Sequence, residues 1–462
     1  DLFVEEVLMA FDRQSKPWET VAQILETDNR KALTQFLEGL GPMETARSIS
    51  RLSEADQNRV FTLLTPQDAA GLIEDVPDEQ AADLVEALDP VQAAAIIDEL
   101  KSDDKADLLG EMSTKDAEAI LQEMSTETAK EARQLMAYPA DTAGGIMISE
   151  YLAFPEDKRV GDVLSNLQAN REKYVDYHVQ YLYVVDQAGR LVGVLRMHDL
   201  LFPDRSARLK AVMITDPLSL TVDTATEALR EFFDEHKLFG VPVVDAGRRL
   251  VGVVLPEAVE EAALKQADRQ FLDAQGIVGG EEFRTMPLRI RSRRRLSWLS
   301  INILLNVIAA SVIALYQDTL AAVIALAVFL PIISDMSGCS GNQAVAVSMR
   351  ELTLGLIQPK ELFHVLRKEV ALGLVNGLAL GVLLGGVALL WKGNPFLGLV
   401  VGAALFLNTL LAVGLGGVLP LFLKRLKLDP ALVSGPILTT LTDMCGFFLV
   451  LSLATFFLPR LT

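Results

Sequence analysis

"YVVDQAGRLVGVL", residues 183 to 195, occurs a second time as "PVVDAGRRLVGVV", residues 242 to 254. Val184, Val185, Asp186 and Gly193 recur 59 residues later as Val243, Val244, Asp245 and Gly252. In each copy a β-branched run meets a polar turn with glycine and then a second β-branched run, which predicts a strand pair of hairpin type. Strand and helix patterns alternate on either side of both copies, so residues 138–262 are expected to form two α/β units in tandem.

Ahead of that duplication the chain repeats on a shorter period. Leu40, Leu52, Leu64, Val76, Leu88, Leu100, Met112 and Met124 recur every 12 residues, and most precede a polar pair and then an apolar pair, as in "LTPQDAAGLI" and "MSTKDAEAIL". Ser, Thr, Asp or Pro stands where each short helix would begin, and Asp or Glu fills its first turn, where caps and the helix dipole favour them. No unit is long enough to bury a core of its own. Residues 1–137 therefore predict an acidic helical superhelix held by the stacking of neighbours.

Beyond the duplication the composition changes. The 462 residues carry a formal net charge of −19, yet 50% of them are hydrophobic, because acid is concentrated before about residue 290 and Leu, Val, Ala, Gly and Phe dominate after 296. Five spans are expected, near 296–316, 320–349, 365–391, 396–423 and 431–459, in an all-α membrane domain over 296–462, with a linking helix over 263–295. Basic residues cluster in "RIRSRRR" (289–295), between the second and third spans and between the fourth and fifth. The positive-inside rule then puts the amino-terminal domains in the cytoplasm and the carboxyl terminus outside a multi-pass cell-membrane protein. Trp298 and Trp391 fall near span ends, and the chain opens without a signal-peptide pattern. The acidic charge suits no nucleic-acid partner, and the lipid bilayer is the surrounding the second half requires.

Two stretches inside the apolar half are polar. "SDMSGCSGNQ" (334–343) and "SGPILTTLTDMCG" (434–446) place hydroxyls, amides, glycines and the acids Asp335 and Asp443 where hydrocarbon is expected. Such groups at membrane depth line protein-buried or water-filled space, and an isolated carboxylate needs water or a cation. Asp443 is the first candidate for an ion site. Pro331 and the glycines are expected to loosen the second span and free carbonyls for an ion's hydration shell. Gly338, Gly341 and Gly446 fit helix packing as well as pore lining, and Asn342 and Gln343 fit interhelical hydrogen bonding. The four His are scattered, and Cys339 and Cys445 read as small fillers, so neither type makes a metal cluster. No nucleophile with its base, and no phosphate loop, points to an enzyme.

Taken in order, the duplicated strand pair resembles a tandem pair of CBS domains, and the whole chain resembles the MgtE family of magnesium transporters. "YPADTAGGIM" (138–147), "DMSGCSGNQ" (335–343) and "LDPALVSGPILTTLTDMCG" (428–446) carry the likeness. The resemblance implies a homodimer with a central Mg²⁺ pore, needing no further protein partner, with Asp443 from both subunits at the ion site. Asn342 and backbone groups near Gly338 and Thr439 would contribute alongside, and Asp335 belongs to the same polar stretch. Cys339 and Ser337 depart from the family's usual Asn and Gly. The cytoplasmic part would be the magnesium sensor, with Asp103 and Asp107 at matching sensor positions and Glu257 and Glu261 retained on the linking helix. Ala258, Gln266 and Arg269 stand where further sensing acids are expected, which predicts weakened gating, or gating through other acids such as Asp268 and Asp273. CBS pairs often hold adenine nucleotides through a hydroxyl residue and an Asp. Here the pairs are Arg196 with Asp199 and Leu255 with Ala258, which argues against ATP.

Two other readings fit part of the pattern. A carrier for Co²⁺ or Ni²⁺ would call for softer His or Cys ligands in the membrane. A membrane-anchored CBS sensor without transport would not need Asp443 or the polar stretches.

Overall fold

The computed structural model describes residues 16–174, 177, 180–277, 279, 282–284 and 286–462. Two compact units divide near Gln266, and the second also takes in the chain up to Glu282.

The described part of the first unit opens with ten short helices, α1 (Pro17–Glu26) through α10 (Thr126–Leu135), among them α6 (Asp78–Glu86) and α8 (Ser102–Glu111). Their starts follow the expected chemistry: the side chains of Ser53, Thr65, Asp89, Ser113 and Ser125 accept backbone N–H groups of the helices that follow. The period-12 residues close each turn. Leu40, Leu64, Val76, Leu100, Met112 and Met124 are buried in one continuous core, with Leu52 and Leu88 packed against it. Each helix alone has one apolar stripe, and stacking makes the stripes a single core.

The tandem copies follow. The first sheet is β1 (Leu152–Pro155), β2 (Tyr181–Val185), β3 (Leu191–Arg196) and β4 (Ile214–Thr215); the second is β5 (Leu220–Thr221), β6 (Val241–Val244) and β7 (Leu250–Val254). β2 pairs antiparallel with β3, and β6 with β7, each with a register shift at the same place, after Val184 and after Val243. Helices α11 (Val160–Ala169) and α12 (Thr226–Glu235) occupy the matching places in the two copies.

The repeated letters have physical causes. Asp186 Oδ1 accepts from the N–H groups of Ala188 and Arg190, and Asp245 Oδ1 does the same for Gly247 and Arg249, so one Asp closes each turn. Gly193 faces Met213, whose sulfur would lie 2.3 Å from an added Cβ, and Gly252 faces Met147 at 2.5 Å. A side chain at either position would have to displace that methionine. Helix α13 (Pro256–Ala274) leaves β7 and continues without a break across the boundary between the units.

The second unit contains five long helices, α14 (Leu288–Ala314), α15 (Leu326–Thr353), α16 (Leu362–Lys392), α17 (Pro395–Arg425) and α18 (Pro430–Phe456). Four are long and apolar enough to cross a membrane, and α15 falls short because it carries the polar stretch. Helix α14 starts earlier than expected, with the arginines of "RIRSRRR" inside its first turns rather than ahead of it. The linking segment is correspondingly not one helix, since α13 ends at Ala274 and Gly276 turns with a positive φ of 76°. The loosening expected at Pro331 is not found: α15 is continuous through it, and the chain breaks earlier, at Val323–Ala325, after the short helix Gln317–Ala322. Pro331 withdraws only its own N–H from the ladder, and the bonds of the neighbouring turns carry the helix through it. Helix α17 lies centrally, packed on α15, α16 and α18.

Candidate functional site

Asp443 lies in the middle of α18 and is 9% exposed. Its carboxylate accepts a hydrogen bond from the Ser334 hydroxyl of α15, so the two polar stretches meet there. Asp335 follows Ser334 but points to an exposed position. Along α15, Asp335, Cys339 and Asn342 are spaced i, i+4 and i+7 and are all exposed, with Gln343 beside them. Helical spacing makes this one polar stripe that its own chain leaves uncovered.

The glycines divide by role. A Cβ on Gly341 would press on Leu438 and the Ala412 carbonyl, and one on Gly446 would lie 2.6 Å from the Asn408 amide nitrogen, so these two allow close packing. An added Cβ on Gly338 would meet no atom within 4 Å. Thr439 stands one turn before Asp443 on α18, half-buried, and its backbone carbonyl accepts from the Thr442 hydroxyl at 3.0 Å. Thr439 and Thr440 also line a cavity of about 680 Å³, together with Asn302, Asn306, Trp298 and Arg295 from α14. Two amides one helical turn apart on an apolar helix thus face the same space as two hydroxyls of α18. At the arginine-rich end of α14, Glu282 binds both Arg291 and Arg295.

Asn408 went unnoticed in the sequence. It is fully buried on α17, and its amide donates to the Thr442 carbonyl at 3.0 Å, next to Asp443. Among the described residues its carbonyl oxygen has no hydrogen-bond partner, nor do the buried hydroxyls of Ser337 and Thr409.

The second constellation lies in the first unit. Glu150, beside the first CBS copy, accepts from both the backbone N–H (3.0 Å) and the hydroxyl (2.6 Å) of Ser102, which seats the start of α8. Asp103, Asp104 and Asp107 follow on that helix. Burial, with Asp103 and Glu74 adding repulsion, pushes Asp104 up to about 7. Asp107 is pushed up to about 6, where burial outweighs the opposing charge of Lys265. One oxygen of Asp103 is buried without a hydrogen-bond partner, and burial raises this group as well.

Lys265 of α13 reaches into the cluster. Its Nζ lies 2.8 Å from Asp78 of α6, 3.0 Å from Glu261 on its own helix and 3.7 Å from Asp107. Burial works against its charge, but the three carboxylates prevail and its pKa is raised. Glu261 is thereby drawn into the acidic surface, while Glu257 is exposed and makes no ion pair among the described residues. In the CBS pair, Asp199 is tied to Arg196 at 2.8 Å and the opposite position holds Ala258.

Comparison with known proteins covers most of the chain. Family models match as the MgtE intracellular N domain over 40–141, as CBS domains over 143–202 and 209–263, and as a divalent cation transporter over 330–453. The magnesium transporter MgtE of Bacillus subtilis (strain 168) is 31% identical over 332 residues, 72% of this chain and 73% of that protein. The MgtE of Thermus thermophilus is 34% identical over 70% of this chain and 72% of that protein. Among solved structures, the cytosolic domain of the Mg²⁺ channel MgtE in complex with ATP is 30% identical, covers 53% of this chain and 99% of that one, and superposes with a TM-score of 0.47.

Proposed function

The chain belongs to the MgtE family of magnesium transporters, and from that premise we propose that it passes Mg²⁺ across the cell membrane along a path built around Asp443. The carrying observation is the Asp443 carboxylate, buried in mid-membrane sequence and shared between the two polar stretches through Ser334. Mg²⁺ takes oxygen ligands in octahedral geometry and gives up water reluctantly. Carboxylate, hydroxyl and amide oxygens with retained water suit it: Thr439 stands one turn before Asp443, Gly338 one turn after Ser334 leaves room where a side chain would lie, and Asn342 continues the exposed stripe. A soft-ion site would draw on His or Cys ligands, and the two polar stretches offer only Cys339 and Cys445 of that type.

The path is completed by a second copy. The stripe of Asp335, Cys339 and Asn342 is uncovered by its own chain, and polar groups at membrane depth call for water or another protein surface. A twofold dimer brings two such stripes and two Asp443 side chains to one axis. The basic clusters support a cytoplasmic location for the helical and CBS domains, and Asp103, Asp107 and Glu261 are then the candidate sensing surface for Mg²⁺. Asp199 is engaged by Arg196, and the matching position of the second copy is Ala258, which argues against a nucleotide held in the usual way.

The test is Mg²⁺ uptake by proteoliposomes carrying the wild-type chain or Asp443→Asn. Uptake abolished with the charge supports the path; undiminished uptake moves the ion site elsewhere. An inert wild type would favour an anchored sensor.

A further inference from the structure

Three carboxylates from three helices meet at Lys265, and the arrangement differs from a surface ion pair. Asp78 begins α6, Asp107 lies on α8, and Glu261 precedes Lys265 by one turn on α13. The lysine side chain is only 34% exposed, so its ammonium has given up much of its water to these oxygens. Glu261 holds the ammonium on its own helix, and Asp78 at 2.8 Å and Asp107 at 3.7 Å attach it to the helical domain.

We propose that Lys265 is a resident counter-ion: its ammonium keeps the helical domain seated on the connecting helix without a bound metal, so the cytoplasmic Mg²⁺ concentration has less left to control. The proposal rests on the reading that this acidic surface regulates the transport path. The charge balance supports it. One ammonium among three carboxylates removes part of the repulsion that would otherwise separate α13 from α6 and α8 when no divalent ion is present. An ammonium on a flexible stem donates to carboxylate oxygens without the octahedral geometry Mg²⁺ demands. Ala258, Gln266 and Arg269 on the same helix add no carboxylate to this surface, so they leave few oxygens for a metal and little further repulsion for Lys265 to balance.

Hydrogen–deuterium exchange of the full chain, in metal-free buffer and in millimolar Mg²⁺, tests this directly. With Lys265→Gln, exchange in α6 and α13 is expected to speed by about fivefold without metal, the scale of a part-exposed ion pair, and to return to the wild-type rate with Mg²⁺. Lys265→Arg should stay at the wild-type rate, and Asp78→Asn should reproduce the loss through the partner if the first variant folds poorly. In proteoliposomes the uptake of Lys265→Gln should respond more steeply to internal Mg²⁺ than that of the wild type. Equal exchange for wild type and Lys265→Gln in metal-free buffer overturns the proposal, whatever the uptake. Absent wild-type uptake overturns the transport reading instead and leaves exchange to decide the role of Lys265.

Discussion

Asn408 of α17 stands directly over Gly446 of α18, donating to the Thr442 carbonyl at 3.0 Å in the space that a side chain at 446 would take. The bond fixes the turn of α18 that carries Asp443. Asn408→Leu keeps the bulk and removes the donor; it should lower the midpoint of thermal unfolding in detergent, by about 1–3 kcal/mol in stability, and reduce Mg²⁺ uptake. Gly446→Ala should do the same by forcing the helices apart, at a similar cost. Unchanged unfolding and uptake in both variants would show that the contact fixes nothing.

Ser334→Ala removes the hydroxyl that Asp443 accepts. A hydrogen bond to a charged group contributes about 1.5–3 kcal/mol, so uptake at low Mg²⁺ should fall by roughly tenfold or more. Ser334→Thr keeps the donor and should retain most of the rate.

Cys339 is exposed on the uncovered stripe of α15. In a Cys445→Ser background, a positively charged thiol reagent should modify Cys339 and slow uptake, and Cys339→Ser should be insensitive. A short bifunctional maleimide should link two chains through Cys339. Failure to form any linked pair in membranes would count against the stripe as the surface between copies.

The buried acids of α8 predict a definite pH trend. Burial raises Asp104 to about 7 and Asp107 to about 6, both above the ordinary 3.8 of an unfolded chain. Between these values the folded chain holds protons that the unfolded chain has released, so their contribution to stability is largest at low pH and is lost as pH rises through about 6 to 7. Metal-free unfolding followed by scanning fluorimetry should therefore shift to lower temperature between about pH 5 and 8. Asp104→Asn should flatten that slope, and Mg²⁺, which favours the ionised carboxylates, should restore stability at the upper end. A midpoint that climbs steadily over the same range would contradict the assignment.

Much of this molecule can be read from local letters. The duplicated hairpins, the turn-closing Asp186 and Asp245 and the caps of the short helices depend on neighbours in the chain, so spacing reveals them. Asp443 is legible for a different reason: a carboxylate in apolar sequence is costly wherever it folds. Asn408 is not, because a lone amide in "LFLNTLLAV" acquires its role only when α17 meets α18. Lys265 looks like any charge on an amphipathic helix until Asp78 and Asp107 arrive from far along the chain. Pro331 misled in the opposite way. Its effect depends on whether the neighbouring turns hold, and the start of α15 is set by the break at Val323–Ala325, which carries no breaker residue.

The two glycine and methionine pairs make distant positions behave as single units of inheritance. A side chain at Gly193 requires Met213 to move aside or shorten, and Gly252 stands in the same relation to Met147. Related sequences should tend to change each pair jointly, so the duplication that produced the two copies is kept visible by sulfur atoms that lie outside the copied strand pairs themselves.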